Sequence, residues 1–97
     1  MVWRAMRPPP PGDPVLFALR HPATGEIAER PALVVAADEE GLLTLCVFLD
    51  GSSDAPMLTA AERAGVLPRP CVSRSRVARS ETGAAEAGRW RPRPRRA

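Results

Sequence analysis

Leu42-Leu43-Thr44-Leu45-Cys46-Val47-Phe48-Leu49 is apolar at every position but one. At the two-residue period of a strand, Leu43, Leu45, Val47 and Leu49 share one face, and Leu42, Cys46 and Phe48 share the other. A strand apolar on both faces belongs inside a curled sheet or small barrel, where one face alone does not meet all the packing. Asp50-Gly51-Ser52-Ser53-Asp54 follows as a chain-reversing turn. Upstream, Asp38-Glu39-Glu40-Gly41 is a four-residue hairpin loop with glycine last. It joins this strand to a second one, Ile27 to Ala37, whose expected buried part is Leu33-Val34-Val35. Pro31 cannot donate to a ladder, which implies an edge or a bend there. Further upstream lie the turn His21-Pro22-Ala23-Thr24-Gly25-Glu26 and a first strand, Val15-Leu16-Phe17-Ala18-Leu19. Its residues Val15, Phe17 and Leu19 share one face.

Downstream, Thr59-Ala60-Ala61-Glu62 fits a capping box with Gly65 as a C-cap, so one short helical turn is expected over 60–64. Pro68 and Pro70 end that segment. Cys71 to Ala78 reads as a strand, with Cys71, Ser73, Ser75 and Val77 on one face and Val72, Arg74, Arg76 and Ala78 on the other. Ser80 to Gly88 is a loop of small residues. Arg89-Trp90-Arg91 closes the sheet, with Trp90 as an apolar plug for a core this small. The 97 residues amount to one domain. The fold class expected is mostly β: a small barrel of five to six short antiparallel strands over 12–91, with an insert at 55–70. It is flanked by a proline-rich N-terminal arm, 1–11, and an Arg/Pro tail, 92–97, both extended because proline fixes φ and removes a donor.

All 14 basic residues are arginine, and Ala, Arg, Gly and Pro make up 49 of the 97 residues. That bias follows GC-rich codons, so arginine content alone does not announce a nucleic-acid ligand. The placement of charge is more informative. Residues 1–68 sum to −4 and residues 69–97 to +7, within an overall +3. The partner-binding set expected is Arg74, Arg76, Arg79, Arg89, Trp90, Arg91, Arg93, Arg95 and Arg96. Clustered arginines bind phosphate or acidic protein surfaces, and a tryptophan among them can stack on a base.

No catalytic, metal or cofactor-binding residue is assigned, and no cofactor is expected. His21 is the single histidine and sits in a turn. Asp38, Glu39 and Glu40 read as a solvated loop rather than as carboxylates held in a cleft. Cys46 and Cys71 lack CxxC spacing and are read as small buried side chains with reduced thiols. The start, Met1 to Pro8, has no apolar core of a signal peptide, and no apolar run approaches membrane-spanning length, so no membrane partner is expected.

Taken in order, Gly12-Asp13-Pro14-Val15, Arg30-Pro31-Ala32-Leu33-Val34-Val35, Phe48-Leu49-Asp50-Gly51 and Gly88-Arg89-Trp90 resemble a group of small tailed-phage proteins. That group shares a G-x-x-V strand, an R-P-A-x-V-V strand, an F-x-D-G strand end and a closing G-x-W. The resemblance spans residues 12 to 91. It implies an SH3-like barrel of phage origin with no enzyme activity, found in the virion or the host cytoplasm. The function expected on that basis is that of a virion component, such as a capsid decoration protein, that docks through its barrel and arms on other virion proteins, the major capsid protein among them. The residues 55–70 and the Arg/Pro tail depart from the group's pattern. Two alternatives stand beside this one: a small barrel that binds nucleic acid through its C-terminal arginines, and an inhibitor of a host protein.

Overall fold

The computed structural model describes residues 8–60, 62–63 and 71–94. Five strands form one antiparallel sheet: β1 (Pro14–Arg20), β2 (Ile27–Ala37), β3 (Leu43–Phe48), β4 (Cys71–Val77) and β5 (Trp90–Pro92). Their spatial order is β4-β3-β2-β1-β5. The β1–β2 and β2–β3 hairpins follow from short loops, while β3 and β4 pair across the longer stretch 49–70. In the β2–β3 loop the Asp38 carboxylate accepts the N–H groups of Glu40 and Leu42. Gly41 supplies the positive φ of 84° that closes the turn.

The sheet curls around its inner face. Val15, Phe17 and Leu19 of β1, Ala32 and Val34 of β2, and Leu43, Leu45 and Val47 of β3 form one buried cluster with Val77 and Trp90. The alternation expected of β1 and of the core face of β3 is what the structure has. Strand β2 runs between two partners, pairing with β1 from Ile27 to Leu33 and with β3 from Ala32 to Ala37. Pro31 lies one residue before the β3 ladder begins, so its missing donor leaves no gap there. The edge character expected of Pro31 is therefore local, since β2 as a whole is the middle strand.

Alternation in β2 and a bulge in β4 correct the expected faces. Ala32 and Val34 point inward, so Leu33, 39% exposed, and Val35, 53% exposed, point outward, and only Val34 of the expected buried trio is inside. One bulge lies between Val34 and Ala36. The other falls in β4 between Arg74, opposite Leu45, and Val77, opposite Leu43. An extra residue shifts the alternation by one. Val72, Arg74 and Val77 therefore share the core side, and the face expected to unite Val77 with Ser73 does not exist. Arg76 in this bulge takes a left-handed φ of 57°.

The segment expected as a plain turn at 50–54 is a 3-10 helix, Gly51–Met57. It forms because Asp54 has a reason to turn inward: its carboxylate meets Arg30 and the Asp50 N–H. Leu58 is buried behind it, and Leu49 and Met57 pack on the core. The capping box is made as read. The Thr59 hydroxyl accepts the Glu62 N–H, Glu62 accepts the Thr59 N–H, and the Arg63 N–H reaches the Thr59 carbonyl. Residues 61 and 64–70, with Gly65, Pro68 and Pro70, lie outside the described residues.

The end of the proline arm is not extended. The Asp13 N–H bonds the Pro10 carbonyl, and Gly12 and Asp13 exchange backbone bonds with Val34. Residues 10–13 thus form a turn pinned to β2. Residues 1–7 and 95–97 lie outside the described residues. Beside the turn at 10–13, Pro92 pairs with Val15 and belongs to β5 rather than to the tail.

Candidate functional site

Most of the arginines singled out for partner binding are tied to groups of the chain itself. Arg74, on the core side of β4, lays its guanidinium 5.2 Å from the Phe17 ring centroid. Its Nη2 lies 2.6 Å from Glu62. Arg76 reaches back across the bulge to Asp38 and Glu40, both at 3.0 Å, and this pairing holds its guanidinium more firmly protonated. Arg91 makes a two-pronged bond to Glu29, both prongs at 2.6 Å. That guanidinium keeps the Glu29 carboxyl below its ordinary pKa. Arg89 donates to the Arg79 carbonyl and lies 3.6 Å from Glu86. Arg79 stacks over the Trp90 indole at 5.4 Å. Arg93 is exposed. Arg95 and Arg96 lie outside the described residues.

Trp90 sits in the core, 4% exposed and paired with Phe17 on β1, where no base can stack on it. Its backbone N–H bonds the Ala78 carbonyl, and its carbonyl accepts the Ser80 N–H. A single isolated bridge, Arg79 to Trp90, therefore joins the chain leaving β4 to β5 at the far edge of the sheet. The indole N–H and Arg74 Nε are buried without a hydrogen-bond partner among the described residues.

An open pocket of about 540 Å³ lies beside Trp90, and Pro9, Asp13, Arg79 and Arg93 are among its walls. The last described part of the N-terminal arm and the first part of the tail thus leave from one end of the sheet. The neighbouring 80–88 loop is organised by Glu86. Its carboxylate gathers the Thr82 hydroxyl and N–H, the Ser80 hydroxyl and the Glu81 N–H. These donors, Thr82 foremost, lower its pKa to about 2.

Two features escaped the sequence reading. The first is the ion pair of Arg30 and Asp54. Asp54 is fully buried, and both its oxygens meet Arg30 at 2.7 Å. Nothing in the sequence marks two residues 24 positions apart as partners. The second is the outer face of the sheet. Ile27, Leu33, Val35 and Phe48 are exposed large apolar side chains. Leu33 stands opposite Cys46, and Phe48 opposite Cys71, so the apolar residues run from β2 across β3 to β4. The signal was present in the two-faced apolar pattern of 42–49.

Among the described residues no three His, Cys, Asp or Glu side chains converge as a metal site, and no helix is long and apolar enough to cross a membrane. No protein-family model, no curated protein and no solved structure matches this chain.

Proposed function

We propose that this protein is a non-enzymatic phage structural or accessory component, a head-associated protein that docks on a larger assembly. The outer face of the sheet is the docking surface, and the two arms are clamps laid along neighbouring subunits. The observation that carries this reading is the exposed apolar strip of Leu33, Val35 and Phe48. Apolar surface grouped on one sheet face marks a protein contact more than a phosphate contact. The shared exit of both arms beside the Trp90 pocket supports it, since arms that start together can embrace one partner. Within this proposal the sheet is an SH3-like barrel, and the Arg79–Trp90 bridge is the point where its two edges meet.

Quantitative mass spectrometry of purified phage particles tests the reading. Hundreds of copies per particle are expected for a head-coating component. A complete absence from particles would overturn it, and would turn attention to a stoichiometric complex with a host protein. Less favours the nucleic-acid alternative, because Arg74, Arg76, Arg79, Arg89 and Arg91 already have partners within the chain.

A further inference from the structure

Cys46 on β3 and Cys71 on β4 are diagonal neighbours on the outer face. Cys46 stands opposite Ser73, and Cys71, two residues earlier, stands opposite Phe48. Both are half-buried and neither is bridged. Burial, with the neighbouring Cys71 thiol behind it, pushes the Cys46 thiol up from its ordinary pKa. Two thiols with no third ligand among the described residues do not make a metal site. They do make a dithiol.

We propose that Cys46 and Cys71 form a reversible oxidation site that closes to a cross-strand disulfide on reaction with a small disulfide oxidant such as glutathione disulfide. One protein thiolate attacks a sulfur of the oxidant, forming a mixed disulfide and releasing one glutathione thiolate. The second cysteine, losing its proton, attacks the protein sulfur of that mixed disulfide and releases the second glutathione. Two protein thiols are oxidised, one disulfide is reduced, and the two thiol protons end on the two glutathiones.

The diagonal placement decides the character of the bond. Diagonal partners in an antiparallel ladder stand about 7–8 Å apart between Cα atoms, at or beyond the upper limit for an unstrained disulfide. Strand β4 lies at the edge of the sheet and Cys71 is its first residue, so this end of it can shift toward β3. The resulting bond is strained and half-exposed, which makes it easily reduced: a switch and not a permanent staple. When closed it encircles the chain from 46 to 71, including the 3-10 helix that covers one end of the core.

The test treats the full-length protein with glutathione disulfide at mildly alkaline pH, then alkylates the remaining thiols and measures the intact mass. The expected product is a monomer lighter by two hydrogens, with no alkylation at either cysteine and full reversal by reduced glutathione. Its Tm rises by a few degrees, less than an unstrained bridge of this loop length would give. Cys71→Ser is expected to stop at a single stable glutathione adduct on Cys46. The proposal is overturned if the wild type accumulates two glutathione adducts per chain, retains both thiols, or forms only disulfide-linked dimers.

Discussion

Asp54 shows what one residue does for this fold. It is fully buried, and its two oxygens satisfy Arg30 while accepting the Asp50 N–H. Removing the charge leaves Arg30 without its carboxylate, although its side chain keeps 24% exposure. Asp54→Asn is therefore expected to cost about 2–3 kcal/mol in denaturant unfolding, somewhat less than breaking a fully buried pair. The same residue sets a pH dependence. The Arg30 hydrogen bonds hold the Asp54 carboxyl below its ordinary value, and Arg91 does the same for Glu29. A lowered folded pKa gives stability that is complete above the unfolded value of about 4 and is lost as pH falls through the folded value. Thermal melts should show Tm falling as pH drops below about 4, with a shallower fall in Asp54→Asn. Trp90 carries comparable weight as the apolar plug. Trp90→Ala should cost about 3–5 kcal/mol, enough to unfold most of a domain this small.

At the scale of elements, the β4 bulge decides where the arginines point. Arg76 holds a left-handed backbone, which costs a side-chain residue and costs glycine nothing. Arg76→Gly is expected to leave Tm almost unchanged, because its ion pairs are exposed and weak. Arg76→Val, β-branched at the same φ, should lower Tm by several degrees in the same melt. This bulge also marks where the sequence stops being legible. Period-two reading placed β1 and the core face of β3 correctly, because Val15, Phe17, Leu19, Leu43, Leu45 and Val47 alternate without interruption. It misplaced Val77, because a bulge adds a residue without any fixed sequence mark when glycine is not used. Leu33 and Val35 face outward by plain alternation around the buried Val34, which the unbroken apolar run Leu33-Val34-Val35 conceals. The arginines misled for a related reason. Their partners are remote in the chain: Glu29 is 62 positions from Arg91, and Asp38 is 38 from Arg76. A list of nearby basic residues does not reveal which charges folding has already neutralised. The capping box at Thr59 and Glu62 was legible because both halves of it are local.

For the whole molecule, the distribution of paired charge and bare apolar surface separates the proposed functions. Five of the nine residues first named for partner binding, Arg74, Arg76, Arg79, Arg89 and Arg91, contact acids, a ring or a carbonyl of this chain. Of the rest, Arg93 is exposed, and each phosphate contact contributes about 0.9 to the slope of log K against log salt. DNA binding measured across salt should accordingly show a shallow slope, because the five arginines would each have to give up a partner, and a slope of about 5 or more would favour the nucleic-acid alternative. The central claim is that the outer face of the sheet is what docks. It is tested most directly by counting copies in phage particles assembled with wild-type protein and with the double variant Val35→Asp, Phe48→Asp. Val35 is 53% and Phe48 38% exposed, so the variant should still fold, with a Tm several degrees below that of the wild type. The account predicts that the folded variant is missing from particles that carry the wild type in high copy. Incorporation of the variant at wild-type copy number would contradict it.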